Sequence, residues 1–251
     1  MSNRNTNLIK AVVLALSGWM FYAKISDGTL NFYINQRFSW LSYVAVLLFI
    51  ALALTMLYRL LERRTTNDTA PTTTPATPHG GSLSSLSLVI LALPALLGLL
   101  VPARPLGASA INSKGIGLIA PDGPQTVTQV RRPNNGTRNI LDWLREFQHE
   151  ADPVAAFKGQ SVDVVGFVYR DGRAGENQFW VSRFAVSCCV ADAAALGLLV
   201  QTDQAKSLQT DTWVRVTGKI SAAQFAGEML PAITPDKIEP VEQPKHPYLY
   251  P

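Results

Sequence analysis

A chain of 251 residues has room for one or two domains, and 47% hydrophobic against 16% charged content is low in charge for an ordinary soluble protein. The net charge of +4 belongs to the first part of the chain: residues 1–110 hold 8 Lys/Arg against 3 Asp/Glu, whereas residues 111–251 hold 14 against 15. A membrane portion is therefore expected, and the near-neutral second part argues against nucleic acid as a partner, because phosphate binding needs a local excess of Lys and Arg.

The first apolar stretch covers about 8–25, with Lys10 near its start able to snorkel to the interface, and reads as a transmembrane helix. A polar stretch then leads to Trp40, and a second span is expected over about 40–58, with Trp40 and Tyr58 placed as interfacial aromatics. These two helices make up residues 1–64. Residues 65–82, composed of Thr, Pro, Asn and Gly without apolar periodicity, predict a disordered cytoplasmic linker, in which His79 reads as a solvated loop residue. A third span is expected over 83–101, with Pro94 tolerated as a kink.

Lys and Arg set the orientation. Arg4 and Lys10 precede the first span and Arg59, Arg63 and Arg64 follow the second, against Lys24 and Arg37 between them, which favours a cytoplasmic N-terminus. Three crossings of the cell membrane then make 111–251 extracytoplasmic. The triplet Ala108-Ser109-Ala110 after the third span mimics a secretory cleavage site, yet an anchored, export-like segment is preferred over cleavage after Ala110. The spans carry no charge in their central portions, so this chain alone makes no ion path through the bilayer.

Residues 111–138 are rich in Gly, Pro, Asn and Thr and offer only short strand candidates at 117–119 and 126–128. Thr137 or Asn139 can cap a helix at 140–147, where Ile140, Trp143, Leu144 and Phe147 fall at helical spacing. A second helical turn starts at Pro153 after Asp152 and stops at Gly159. Strands are then expected at 161–169, 178–189, 196–201, 212–221 and 229–239. Five strands with Gly-bearing connections predict an OB-like five-stranded Greek-key barrel with helical additions. The fold does not choose a ligand. Arg170, Arg173 and Arg183 read as a solvated rim, and Phe179, Trp180 and Phe184 as core rather than stacking platforms.

The two cysteines, Cys188 and Cys189, are adjacent. Neighbouring side chains on a regular strand point to opposite faces, so the pair can share a ligand only where the strand bends. A turn starting at Cys189 would let Cys188, Cys189 and Asp192 converge on zinc or another thiophilic metal, with a further ligand missing that neither His149 nor His246 is placed by spacing to supply. Three readings stay open: two buried small hydrophobes, a metal site, or a vicinal disulfide suited to a redox switch. Thiol catalysis lacks a base nearby in sequence, and no strong zinc motif is present.

The run Pro102-Ala103-Arg104-Pro105-Leu106-Gly107 after the last apolar stretch and the block Phe184-x-Val186-x-Cys188-Cys189-x-Ala191-Asp192-Ala193, followed by Leu196-Gly197, resemble the YcgQ-like family of bacterial membrane proteins. The resemblance covers nearly the whole chain. It implies a non-enzymatic small subunit of a two-component permease, partnered with a polytopic membrane permease subunit and suspected of a part in metal-ion transport. Ala194-Ala195 stand where that pattern suggests a proline, a change that would loosen the turn after Asp192. Two other functions stay open beside this one: a structural docking module with buried cysteines, and an extracytoplasmic thiol redox protein.

Overall fold

The computed structural model describes residues 3–65, 85–116 and 138–251. They form two compact units: Met1–Asn31 with Gln36–Arg104, and Phe32–Asn35 with Pro105–Pro251. The expected linker at 65–82, apart from Thr65, lies outside the described residues, as do Thr137 and the strand candidates at 117–119 and 126–128.

The first unit is helical, with α1 (Asn3–Ser26), α2 (Ser39–Thr65) and α3 (Ser85–Leu100). Leu8–Ser26 and Gln36–Tyr58 are the two stretches among the described residues long and apolar enough to cross a membrane. The sequence predicts three such spans. At 16 residues α3 is about 24 Å long, short of the roughly 30 Å of hydrocarbon, and residues 83 and 84 of the expected span are not described. Trp19, Leu47, Leu48, Val89 and Leu100 stay exposed on these helices. The helices meet through small residues: a Cβ on Gly18 would stand 3.3 Å from Cβ of Phe49, and one on Gly98 would strike Sδ of Met20 at 2.3 Å.

The second unit is built on five strands, β1 (Ser161–Tyr169), β2 (Gln178–Ala185), β3 (Ala194–Gln201), β4 (Trp213–Phe225) and β5 (Glu228–Pro240). They close into a barrel in the order β1-β2-β3-β5-β4, with β4 pairing back onto β1. The sheet is mixed: β3 and β5 run parallel and all other neighbours antiparallel. Alternation supplies the interior, where Val162, Val164, Val181, Leu198, Val214, Val216 and Ile233 pack together. A register shift between Thr217 and Gly218 lets β4 bend, and only glycine fits there, since a Cβ would fall 2.2 Å from the Thr234 carbonyl oxygen. The β4–β5 hairpin turns through Ala226 and Gly227, both at positive φ, so β4 runs on to Phe225, past its expected end.

Two helices complete the inner core. In α5 (Ile140–Gln148), Asn139 Oδ1 accepts from the amides of Leu141 and Asp142 while Asp142 returns the favour to the Asn139 amide, a reciprocal capping box. The helix buries Ile140, Leu141, Trp143 and Leu144 against the barrel interior. Asp152 caps α6 (Pro153–Phe157), whose Phe157 meets Trp143 edge-on.

A second apolar layer lies on another set of barrel residues, which is why β2 is buried on both faces. Phe167, Tyr169, Trp180, Phe184, Leu199 and Phe225 pack there with Ile111 and Tyr248. Ile111 belongs to α4 (Ala108–Lys114), a helix the sequence does not predict. The Leu106 amide donates to the Tyr248 hydroxyl and the Ala108 amide to Asp211, so the compact unit takes in the chain from Pro105. The Ala108-Ser109-Ala110 triplet thus opens a packed helix.

Two carboxylates, the partly exposed Asp163 and the largely buried Asp171, sit beside arginines. The hydrogen bond from Arg215 holds Asp163 below the usual carboxylate range, and the bond from Arg173 does the same for Asp171. The folded chain therefore binds these protons less readily than the unfolded chain, and the stability involved is present above about pH 4 and lost below it. Thermal melting followed from pH 6 down to pH 2 should show the midpoint falling through the carboxylate range. A flat profile would mean the pairs contribute nothing.

Candidate functional site

The thiol pair lies in the connection between β2 and β3. The sequence predicts a strand as far as residue 189, but β2 stops at Ala185, where it faces Ala194 of β3. The reason is local. The Asp192 carboxylate reaches back to accept from the amides of Ser187 (3.1 Å) and Cys188 (2.6 Å), and Val190–Asp192 forms a short 3-10 turn. The backbone is thereby bent out of the strand.

The other edge of this turn is held by Phe32–Asn35, the segment between the first two helices in sequence. Ile34 forms an antiparallel bridge with Cys189, the Asn35 amide donates to the Cys188 carbonyl (3.0 Å), and the Val190 amide donates to the Tyr33 carbonyl (2.9 Å). The buried Asn35 side chain donates to the carbonyls of Val186 (3.2 Å) and Ser187 (2.9 Å). Tyr248, already bound to Leu106, donates its hydroxyl to the Phe32 carbonyl.

Cys188 is exposed and Cys189 half-buried, both as free thiols with their sulfurs 3.7 Å apart. That overturns the reading of two buried hydrophobes. The Asp192 carboxylate is the main cause that pushes the Cys188 thiol up to about 11, with the neighbouring Cys189 thiol second. Partial desolvation raises Asp192, but hydrogen bonds from the Cys188 thiol and from the amides of Cys188, Ser187 and Cys189 outweigh it and hold the carboxyl below its usual value.

The bend expected from sequence as the condition for convergence is thus present, and it brings Cys188, Cys189 and Asp192 into one turn. Among the described residues, however, no group of three or more His, Cys, Asp or Glu side chains could hold a metal ion. Neither His149, at the C-cap of α5, nor His246 joins the cysteines in such a group. What this chain presents is a dithiol, with its carboxylate committed to holding the turn.

The other sequence candidates resolve as structural. Phe179, Trp180 and Phe184 are at most 1% exposed. Arg170 donates to the carbonyls of Ala205 and Leu208, Arg173 pairs with Asp171, and Arg183 donates to Pro247 and His246 carbonyls. The residue missed was Asn35. The local signal is the apolar group Leu30, Phe32, Tyr33 and Ile34 within an otherwise polar connection.

Residues 9–117 match the DUF1980 N-terminal domain family and residues 129–251 the DUF1980 C-terminal domain family. The chain is similar, at 27% identity over 278 aligned residues, to a Streptococcus mutans protein described as a candidate subunit of a two-component membrane permease complex; the alignment covers 94% of this chain and 97% of that one. It is also similar to the UPF0703 protein YcgQ of Bacillus subtilis, at 21% identity over 282 residues, covering 97% and 99%.

Proposed function

The chain belongs to the DUF1980 family, and from that membership and the turn geometry we propose a non-enzymatic accessory subunit of a membrane permease. In this reading three spans anchor an extracytoplasmic barrel of OB type, a polytopic permease subunit forms the conducting path, and Cys188 and Cys189 offer ligands to a thiophilic metal, zinc among them. The closed five-stranded order with a parallel β3–β5 pair favours the OB assignment. The soft sulfur donors favour a thiophilic ion over a hard one.

The observation that carries the topology is the docking of Phe32–Asn35 on the cysteine turn. A segment between the first two spans and the barrel it pairs with share one side of the membrane. Crossing by α2 leaves that side, so the chain must cross again to return, and α3 is the apolar helix available for it. A short span is accommodated by local thinning of the bilayer at modest cost. The Lys/Arg bias favours the extracytoplasmic face as the shared side.

A membrane-impermeant maleimide should label Cys188 in intact cells, and labelling only after lysis would overturn the orientation. For the metal reading, zinc titration of the reduced full-length protein, with thiols counted, should show stoichiometric binding lost in Cys188→Ser and in Cys189→Ser. Unbound zinc with fully reactive thiols would remove that part of the reading.

A further inference from the structure

Resting on the reading of the thiol pair as a soft-cation site, we propose that Phe32–Asn35 is the positioning element of that site. Cation occupancy at Cys188 and Cys189 and docking of the segment between the first two helices reinforce each other. One residue, Asn35, ties down three consecutive carbonyls, those of Val186, Ser187 and Cys188. Tyr33 takes the Val190 amide from the far side of Cys189. The peptide units that orient the two side chains are therefore fixed by the docked segment on one edge and by Asp192 on the other.

The sulfur separation fits this role. Two zinc–sulfur bonds of about 2.3 Å at a tetrahedral angle span about 3.8 Å, against 3.7 Å between the two sulfurs. A divalent cation enters between them without moving the turn. A sulfur–sulfur bond, at about 2 Å, would require the turn to contract. Binding displaces one proton from each thiol and forms two metal–sulfur bonds, leaving two positions to water or to donors of the permease subunit. Asp192 stays a buttress, not a ligand. Holding the dithiol ready lowers the cost of binding, and by linkage the bound cation must strengthen the docking that holds it.

The test uses the full-length reduced protein in nanodiscs with zinc as the probe. Asn35→Ala, which removes two side-chain hydrogen bonds, should weaken zinc binding about tenfold. In the wild type, zinc should slow hydrogen exchange at the Asn35 and Val190 amides. Unchanged exchange at both amides overturns the coupling, as does unchanged zinc affinity in a folded Asn35→Ala protein; if that variant does not fold, the wild-type exchange decides. If zinc does not bind the wild type at all, the soft-cation reading itself fails. Binding that is lost in Cys188→Ser but indifferent to Asn35, with exchange unmoved, sinks only the coupling.

Discussion

Replacing Trp180 by alanine is expected to cost the barrel unit about 3–5 kcal/mol, the range for deleting a buried aromatic side chain. Its indole is 1% exposed and meets Phe225 edge-on at 5.0 Å. It also borders an open pocket of about 170 Å³ lined by Leu144, Leu199 and Leu230, so truncation would deepen that pocket toward the core. Trp180→Phe should lose less than half as much. The indole N–H is buried with no acceptor among the described residues, and deleting an unsatisfied donor recovers part of the lost packing. Chemical unfolding of the full-length protein, followed by near-UV circular dichroism, separates the two variants. Equal losses would mean that the N–H makes a bond worth keeping.

Asp192→Asn should speed alkylation of Cys188 at pH 8 by up to about tenfold. A full return of the thiol from about 11 to the usual 9.0 would raise its thiolate fraction about a hundredfold, the weaker nucleophilicity of the less basic thiolate takes back about tenfold, and the part of the rise due to Cys189 stays in place. Mass spectrometry of iodoacetamide-treated protein resolves Cys188 from Cys189. An unchanged rate would mean that the carboxylate does not hold the Cys188 proton. The sign of the pH dependence follows from the same bond. A thiol raised on folding favours the folded turn fully at neutral pH, and that contribution disappears as pH climbs from about 9 through 11. Zinc binding, which must displace the proton, should strengthen over the neutral-to-alkaline range for the same reason.

Periodicity made most of the barrel legible. The alternation of Val162, Val164 and Val168 located β1, and Asn139 and Asp152 announced their helices, because strand faces and caps are written in residues that lie close in sequence. The errors came from partners far away. Phe167 and Tyr169 belong to a second apolar layer that exists only because α4 and the segment around Tyr248 fold over the barrel, and no pattern within β1 records that cover. The end of β2 at Ala185 depends on a carboxylate seven residues ahead and on Asn35, 151 residues behind the Val186 carbonyl it binds. The apolar run of α3 was readable in the sequence, but at 16 residues the helix is shorter than the span expected over 83–101. Convergence of the cysteines could be read only as a condition on a bend, whereas their exposure is set by the turn itself.

The docking of Asn35 also imposes an order on biogenesis. Its acceptor at Ser187 follows it by 152 residues, which at about 5–20 residues per second is about 8–30 s of synthesis. The first two helices emerge well before the turn that their connecting segment will grip. For that interval the nascent chain carries Phe32–Asn35 with its main-chain groups unclaimed, and the cysteine turn, once translated, closes on a segment already in place. The bond from Tyr248 to the Phe32 carbonyl, 216 residues on, waits longer still, so a ribosome stalled before Val186 leaves the segment between the first two helices with nothing yet to clasp.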